Sequence, residues 1–291
     1  MAYDRNNRRY KGYFCREAGA RIKMPLISVI MGIYNEKNRQ DVQDAIQSIL
    51  NQTFSDFEFI ICDDGSEGEF YQWLKGYCRI DDRIKLYRND RNRGLSYTLN
   101  HCLQYAEGRF IARMDADDRS LPDRFEKQIL FLQEHPQYAV VGCNVQRFGR
   151  DGVWGQHFLE EYPDKKNFLK TSAFVHPSVM FRKDVLIEAG GYKVSDHVLR
   201  VEDYDLFMRL YIKGYKGYNI QETLFQYREE PSSYSKKKYK DRWNEFYVRY
   251  QRFGELGIRK GNMRYVLKPL IAGVVPAGIM RKIHGKRYQK S

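Results

Sequence analysis

From Leu26 onward, short apolar runs alternate with stretches whose apolar residues recur at helical spacing. Ile27 to Tyr34 is nearly continuous in apolar residues, the pattern of a strand buried on both faces. Val42, Ile46, Ile49 and Leu50 then fall on one helical face, and Asn51 is placed to end that helix. Phe57 to Cys62 predicts a second strand, running into Asp63-Asp64-Gly65-Ser66, where Ser66 is the expected N-cap of a helix over 67–79. A strand at Ile84–Tyr87, a helix from Leu95 to Ala106 and a strand over 110–114 follow. The next helix carries Ile129, Phe131 and Leu132, with Pro122 near its first turn. Beyond 136 the alternation loosens. Tyr138–Val145 and Ser172–Phe181 predict strands, Val201–Gly214 an amphipathic helix led by acids, and 218–228 short strands. From Lys236 the chain becomes a basic, Tyr-rich helical region.

Strand–helix units recurring about every 25–30 residues predict an α/β fold with a mostly parallel sheet and helices on both faces. In such sheets ligands bind outside the carboxyl ends of the strands. Three of those ends are polar here: Asn35-Glu36, Asp63-Asp64 and Asp115–Asp118.

Charge refines the domain picture. The net +13 is unevenly placed: residues 1–24 hold seven Lys/Arg and two Asp/Glu, and residues 236–291 hold sixteen and three. The body between them is mildly acidic. This predicts a basic lead over 1–24, a main domain over 25–235 and a basic amphipathic helical extension over 236–291. It argues against a nucleic-acid groove and for tails that meet an anionic surface. Five cysteines, odd in number and without Cys-x-x-Cys spacing, fit a reducing cytoplasmic compartment. No apolar leader is visible at the N-terminus. The longest charge-free apolar run, Pro269–Met280, is too short to span a bilayer.

The candidate chemistry lies in clustered carboxylates. Asp115-Ala116-Asp117-Asp118 ends a strand and can hold a divalent cation, or can simply be a solvated acidic turn. Asp63 and Asp64 can accept hydrogen bonds from a nucleotide base or ribose, or can cap a turn. Arg93 and Gly94 open a helix whose N-terminus can attract phosphate. Glu202 and Asp203 precede an amphipathic helix, where a carboxylate serves either as an N-terminal charge or as a general base.

In order along the chain, Ile33-Tyr34-Asn35-Glu36, Ser48-x-x-x-Gln52-Thr53, Asp63–Ser66, Asn92-x-Gly94-Leu95-Ser96, Asp115–Asp118, His176–Arg182, Gly190-Gly191-Tyr192 and Glu202–Leu206 resemble the motifs of family 2 glycosyltransferases. The resemblance covers about residues 25–228. It implies the Rossmann-like GT-A fold and roles for the matching positions. Asp63 or Asp64 would contact the uracil and ribose of a UDP-sugar, flanked by Tyr34 and Glu36, with Arg93 near the phosphates. Asp115 would touch ribose or sugar, and with Asp117 hold Mn²⁺ or Mg²⁺ on the diphosphate. Asp203 would take the acceptor's proton, with Glu202 beside it. His176 and Gly191 would lie on the acceptor side.

Many members carry a His shortly after the Tyr-Arg pair. Here Tyr227-Arg228 is followed by Glu229-Glu230-Pro231, which leaves a third protein ligand unassigned. The expected protein is a metal-dependent, inverting glycosyltransferase, peripheral at the cytoplasmic face of a membrane. It would extend a glycan acceptor, lipid-linked, in surface polysaccharide synthesis. A sugar-1-phosphate nucleotidyltransferase would need a Gly-rich, basic loop where Tyr34-Asn35-Glu36-Lys37 stands. A non-catalytic membrane- or nucleic-acid-binding protein would leave the ordered carboxylates unexplained.

Overall fold

The computed structural model describes residues 13–17, 20–229 and 238–274. Two short strands, β1 (Tyr13–Glu17) and β2 (Ala20–Met24), form an antiparallel pair of their own. The central sheet begins with β3 (Ile27–Ile33), β4 (Phe57–Asp63), β5 (Ile84–Arg88) and β6 (Phe110–Arg113), all mutually parallel in the order β5-β4-β3-β6. Between them run α1 (Arg39–Leu50), α2 (Gly68–Tyr77) and α3 (Leu95–Tyr105). All seven residues of β4 are buried, as the apolar run requires of a strand covered on both faces. Asn51 caps the C-terminus of α1, its N–H reaching the Gln47 carbonyl.

Past β6 the sheet becomes mixed. The antiparallel β10 (Met180–Arg182) is wedged between β6 and β8 (Tyr138–Gly149). Then comes β11 (Lys216–Arg228), parallel to β8, with the two-residue β7 (Arg119–Ser120) outermost. β9 (Gly152–His157) folds back on β8. The helices of this half are α4 (Arg124–Glu134), α5 (Lys183–Glu188) and α6 (Glu202–Ile212).

Alternate residues of the strands feed two cores. Val29, Met31, Phe59 and Ile61 face α1, α2 and α4 through Ile46, Leu74 and Phe125. Ile30, Ile60, Ile111 and Phe181 face α3 and α6 through Leu99 and Phe207. The second core also takes in Val248 and Phe253 of α7 (Tyr239–Glu255) and Val266 of α8 (Met263–Val274). The basic C-terminal helices therefore pack on the main body.

Several expected elements differ. Ser172–Phe181 is not a strand: a short 3₁₀ turn over His176–Ser178 interrupts it, because Pro177 cannot donate to a ladder. The short strands near 218–228 are one thirteen-residue strand, whose register shifts between Ile220 and Phe225 absorb the polar residues there. Ser66 is not the cap of α2. Glu67 holds that position, and Ser66 Oγ instead accepts the Asn35 N–H at 2.9 Å. The Pro269–Met280 run is helical to Val274; its remainder lies outside the described residues, as do residues 1–12 and the boundary near 235. Among the described residues no helix is long and apolar enough to cross a membrane.

Candidate active site

A cleft of about 320 Å³ opens at the carboxyl ends of β3 and β4, lined by Tyr34, Asp64, Gly94, Leu199, Arg200 and Glu202 among others. Its floor depends on Gly32. A Cβ there would stand 3.0 Å from Thr98 Cγ2, so the glycine lets α3 approach β3 closely. Tyr34 is exposed at the rim.

Asp64 lines this cleft, yet both of its oxygens are engaged. Oδ1 accepts from Asn89 Nδ2 at 2.7 Å and from the Arg93 N–H at 2.8 Å, and Oδ2 accepts from the Gly94 N–H at 2.8 Å. The carboxylate thus satisfies the two amides that lead into α3. Asn89 is itself held by Thr98 Oγ1 and by His101 Nδ1, which lies 2.6 Å from Asn89 Oδ1. Asp63 is fully buried, with Oδ2 accepting from Ser66 N–H and Arg88 Nε, both at 3.1 Å, and Oδ1 without a protein partner.

Just ahead of α3 stand the amides of Arg93 and Gly94. Those amides belong to Asp64, and the Arg93 guanidinium lies over the Tyr97 ring at 4.1 Å and beside Asp90.

The Asp115–Asp118 segment is pinned by two arginines. Arg113, fully buried on β6, donates Nη2 to Asp115 Oδ1 at 2.6 Å and Nη1 to the Met114 carbonyl. Arg228, at the end of β11, donates its N–H to Asp118 Oδ1 at 2.6 Å and its Nε to the Asp117 carbonyl at 3.1 Å. Its Nη2 reaches Asp41 on α1. Asp117 is pushed up to about 7, first by burial and then by the charges of Asp115 and Glu36, against the opposing pull of Arg228. Burial likewise raises Asp118 well above the carboxylate range, and its Oδ2 has no protein partner.

Opposite stands the N-terminus of α6. Glu202 is buried with Oε2 unpartnered, and burial followed by the Asp203 charge raises its carboxyl. Asp203 is half-buried beside it. The preceding Arg200 has φ +69, a left-handed conformation uncommon outside glycine, and it borders the cleft. Asp205 is committed to the scaffold, pairing at 2.7 Å with Arg209 and at 2.7 Å with Arg252 of α7. Arg209 in turn donates to the carbonyls of Ala189 and Gly191. Gly191 has φ +58, and a Cβ on it would lie 2.7 Å from Asn100 Oδ1. This turn delivers Tyr192, fixed by a two-way exchange with Asn100, so that its hydroxyl meets His176 Nε2 at 2.8 Å.

His176 is buried, and burial followed by the Arg113 charge drives its pKa well down. Burial raises the Tyr192 phenol; Arg113 opposes this, while Asp203, Asp115 and Glu202 add to it. Both acidic motifs therefore converge on the surroundings of one buried ring. Gly191 and His176 shape that turn from behind the cleft.

Among the described residues no three carboxylate, histidine or thiol groups gather to hold a cation alone. The donor set fits a cation shared with substrate phosphates, since Mg²⁺-type ions take one or two carboxylates plus phosphate and water oxygens. The crowding that raises Asp117 is what such a charge would relieve.

Sequence patterns alone left Arg113 and Arg200 unmarked. Arg113 hides within an apolar strand, and a non-glycine left-handed residue carries no sequence signal.

Comparison with known proteins gives the family and the fold. The Glycosyl transferase family 2 model matches residues 28–190, and the Glycosyl transferase family group 2 model matches 110–281. The putative glycosyltransferase EpsE of Bacillus subtilis is 37% identical over 264 residues, covering 90% of this chain and 94% of the relative. The O-antigen biosynthesis glycosyltransferase WbnJ of Escherichia coli is 35% identical over 214 residues, covering 70% and 80%. Among solved structures, S. aureus TarS 1-349 in complex with UDP-GlcNAc superposes with a TM-score of 0.64 at 18% identity, over 84% of this chain and 71% of that one. A mannosyltransferase from Pyrobaculum calidifontis in complex with GDP-Man and Mn²⁺ gives 0.62 at 16%, over 90% and 80%. The fold is GT-A. With its family model spanning more than half its length and its ordered carboxylates at the strand ends, the chain belongs to glycosyl transferase family 2.

Proposed function

We propose that the protein is a metal-dependent, inverting glycosyltransferase that moves a sugar from a UDP-sugar to a hydroxyl of a glycan acceptor in surface polysaccharide synthesis. The supporting observation is the convergence of Tyr34, Asp64 and Glu202 on one cleft, with Asp115 and Asp203 both acting on Tyr192 behind it. The names of EpsE and WbnJ support the reaction class and the polysaccharide context, and the TarS complex supports a UDP-sugar.

In this reading Tyr34 stacks beside the base, and the unpartnered Asp63 Oδ1 and the cleft-lining Asp64 mark its polar end. Asp115 and Asp117, with Glu36 alongside, are the residues that would hold a divalent cation (Mn²⁺ or Mg²⁺). When bound, that cation neutralises the charge the departing UDP develops. Asp203 accepts the acceptor's hydroxyl proton as the acceptor oxygen bonds to the anomeric carbon and the carbon–phosphate-oxygen bond breaks. Glu202, raised by burial, accepts or donates a hydrogen bond to orient the incoming hydroxyl. One displacement inverts the anomeric centre. His176, neutral and tied to Tyr192, holds the turn carrying Gly191 against the acceptor side.

The acceptor is placed on a lipid carrier, with the protein peripheral at the cytoplasmic face through its basic C-terminal segment. A thermal-shift and turnover screen of UDP- and GDP-sugars with Mn²⁺ tests the reading. Stabilisation and UDP release with a UDP-sugar support it, and a response to GDP-sugars alone overturns the donor assignment.

A further inference from the structure

Four large aromatic side chains, Tyr239, Trp243, Tyr247 and Tyr250, stand 37–57% exposed on α7. Successive spacings of four, four and three residues set them on one strip along the helix. The other side of α7 is buried through Asn244, Val248, Arg252 and Phe253. A water-facing helix face is ordinarily polar, and single exposed apolar residues need no explanation. Four rings in register do. Lys240 and Arg242 flank the strip. On α8 the pattern recurs, with Met263, Leu267 and Ile271 exposed at four-residue spacing around Arg264 and Lys268.

Helix α7 meets the segment that walls the candidate cleft twice, once from its buried side and once from the strip. Asn244 Nδ2 donates to the Leu199 carbonyl at 3.1 Å, and the Tyr247 ring packs on His197 with centroids 4.8 Å apart. Leu199 and Arg200 form part of the cleft wall. Leu199, exposed at its side chain, adds apolar surface where α7 meets the cleft wall.

Tyr and Trp rings bracketed by Lys and Arg make up the composition of a helix lying in the headgroup layer of a bilayer. The strip lies in a segment, 236–291, with sixteen basic and three acidic residues, complementary to anionic lipid. We infer that the exposed face of α7 seats the protein on an anionic bilayer surface and brings the Leu199–Arg200 wall of the cleft to that surface. The acceptor is then received from the interface, as a hydroxyl carried on a lipid. This rests on the glycosyl-transfer reading for its substrate, and it assigns the membrane contact to folded helix surface beside the cleft.

The test uses the full chain with vesicles of equal parts phosphatidylglycerol and phosphatidylcholine, against phosphatidylcholine alone, by co-sedimentation and by quenching of tryptophan emission with shallow brominated lipid. The expected result is binding to the anionic vesicles with Trp243 quenched, and at least a tenfold loss of partitioning in Tyr239→Ser/Trp243→Ser. Both side chains are exposed, so the variant should keep its melting temperature and its UDP affinity by calorimetry. Charge reversal, Lys240→Glu/Arg242→Glu, should abolish the preference for anionic lipid and serves if the first variant misfolds. A full chain that ignores anionic vesicles at low salt overturns the inference. So does equal binding by both variants, which would assign the contact to other residues. A dimer in sedimentation velocity that Tyr239→Ser/Trp243→Ser converts to monomer, without vesicle binding, would mean that the strip covers a second copy. UDP calorimetry fails independently of these outcomes if the donor reading is the one at fault.

Discussion

The Arg113 guanidinium, wholly buried on the central sheet, holds the Asp115 carboxylate at 2.6 Å, so the first acid of the Asp-x-Asp pair is aimed from beneath by a charge water cannot reach. Asp115 itself remains partly exposed. The pair fixes the carboxylate's direction and leaves its outer edge available to a ligand.

Replacing Arg113 by Met should therefore act on both stability and binding. Breaking a buried pair from one side costs roughly 3 kcal/mol, because the stranded carboxylate of Asp115 loses its counter-charge. Urea unfolding should show that loss, and UDP affinity should fall with it. A variant as stable as the parent would mean that Arg113 is not what holds this segment.

Asp64 gives a sharper separation of roles. Its oxygens satisfy three donors, including the Arg93 and Gly94 amides that lead into α3, so Asp64→Ala should cost about 1–3 kcal/mol from the unmet donors. If it served solely as a base reader, nucleotide affinity would drop at unchanged urea midpoint.

For the general base, Asp203→Asn should keep UDP affinity within about twofold and lower the transfer rate on the order of 10²- to 10⁴-fold. Normal turnover would return Asp203 to a helix-terminal charge and make Glu202 the candidate.

The first half of the fold was legible because each β3–β6 strand and each of its helices carries its own period. Asn51 as a helix end and the apolar run of β4 needed no tertiary information. The second half was less so. β10 is three residues long and exists because β6 and β8 flank it, and β11 reads as two pieces because its register shifts fall on Gln221 and Glu222. At the site, the carboxylates were visible as motifs, but their partners were not. Nothing local in the sequence says that Asp64 is spent on the Arg93 and Gly94 amides, or that Arg228 closes over Asp117 and Asp118.

As pH falls from 7.5 to 5.5 the lowered His157 and His176 take stability away, while the raised carboxyls of Asp117, Asp118 and Glu202, protonated in the fold before they are in the unfolded chain, act in the opposite direction. An unfolded His157 titrates near 6.5, whereas burial, and then the Arg147 charge, holds it near 4 in the fold. His176 is likewise lowered. With the folded pKa below the unfolded one, the unfolded chain takes up protons first as pH falls. The His157 contribution is present above about pH 6.5 and is lost progressively as pH falls from there towards 4, roughly 1 kcal/mol of it by pH 5.5. The change in urea midpoint between pH 7.5 and 5.5, compared between the protein and His157→Asn, isolates it. His157→Asn should lose less between the two, and an identical loss would rule the residue out as a contributor.

The most direct test of the account is calorimetric titration of UDP into the protein with Mn²⁺, repeated in excess EDTA and with Asp117→Ala. The account predicts one UDP bound per chain with Mn²⁺, affinity lost by an order of magnitude or more on chelation, and an Asp117→Ala variant that binds weakly in either condition. Equal UDP affinity with and without the metal, or no UDP binding in Mn²⁺, would contradict it.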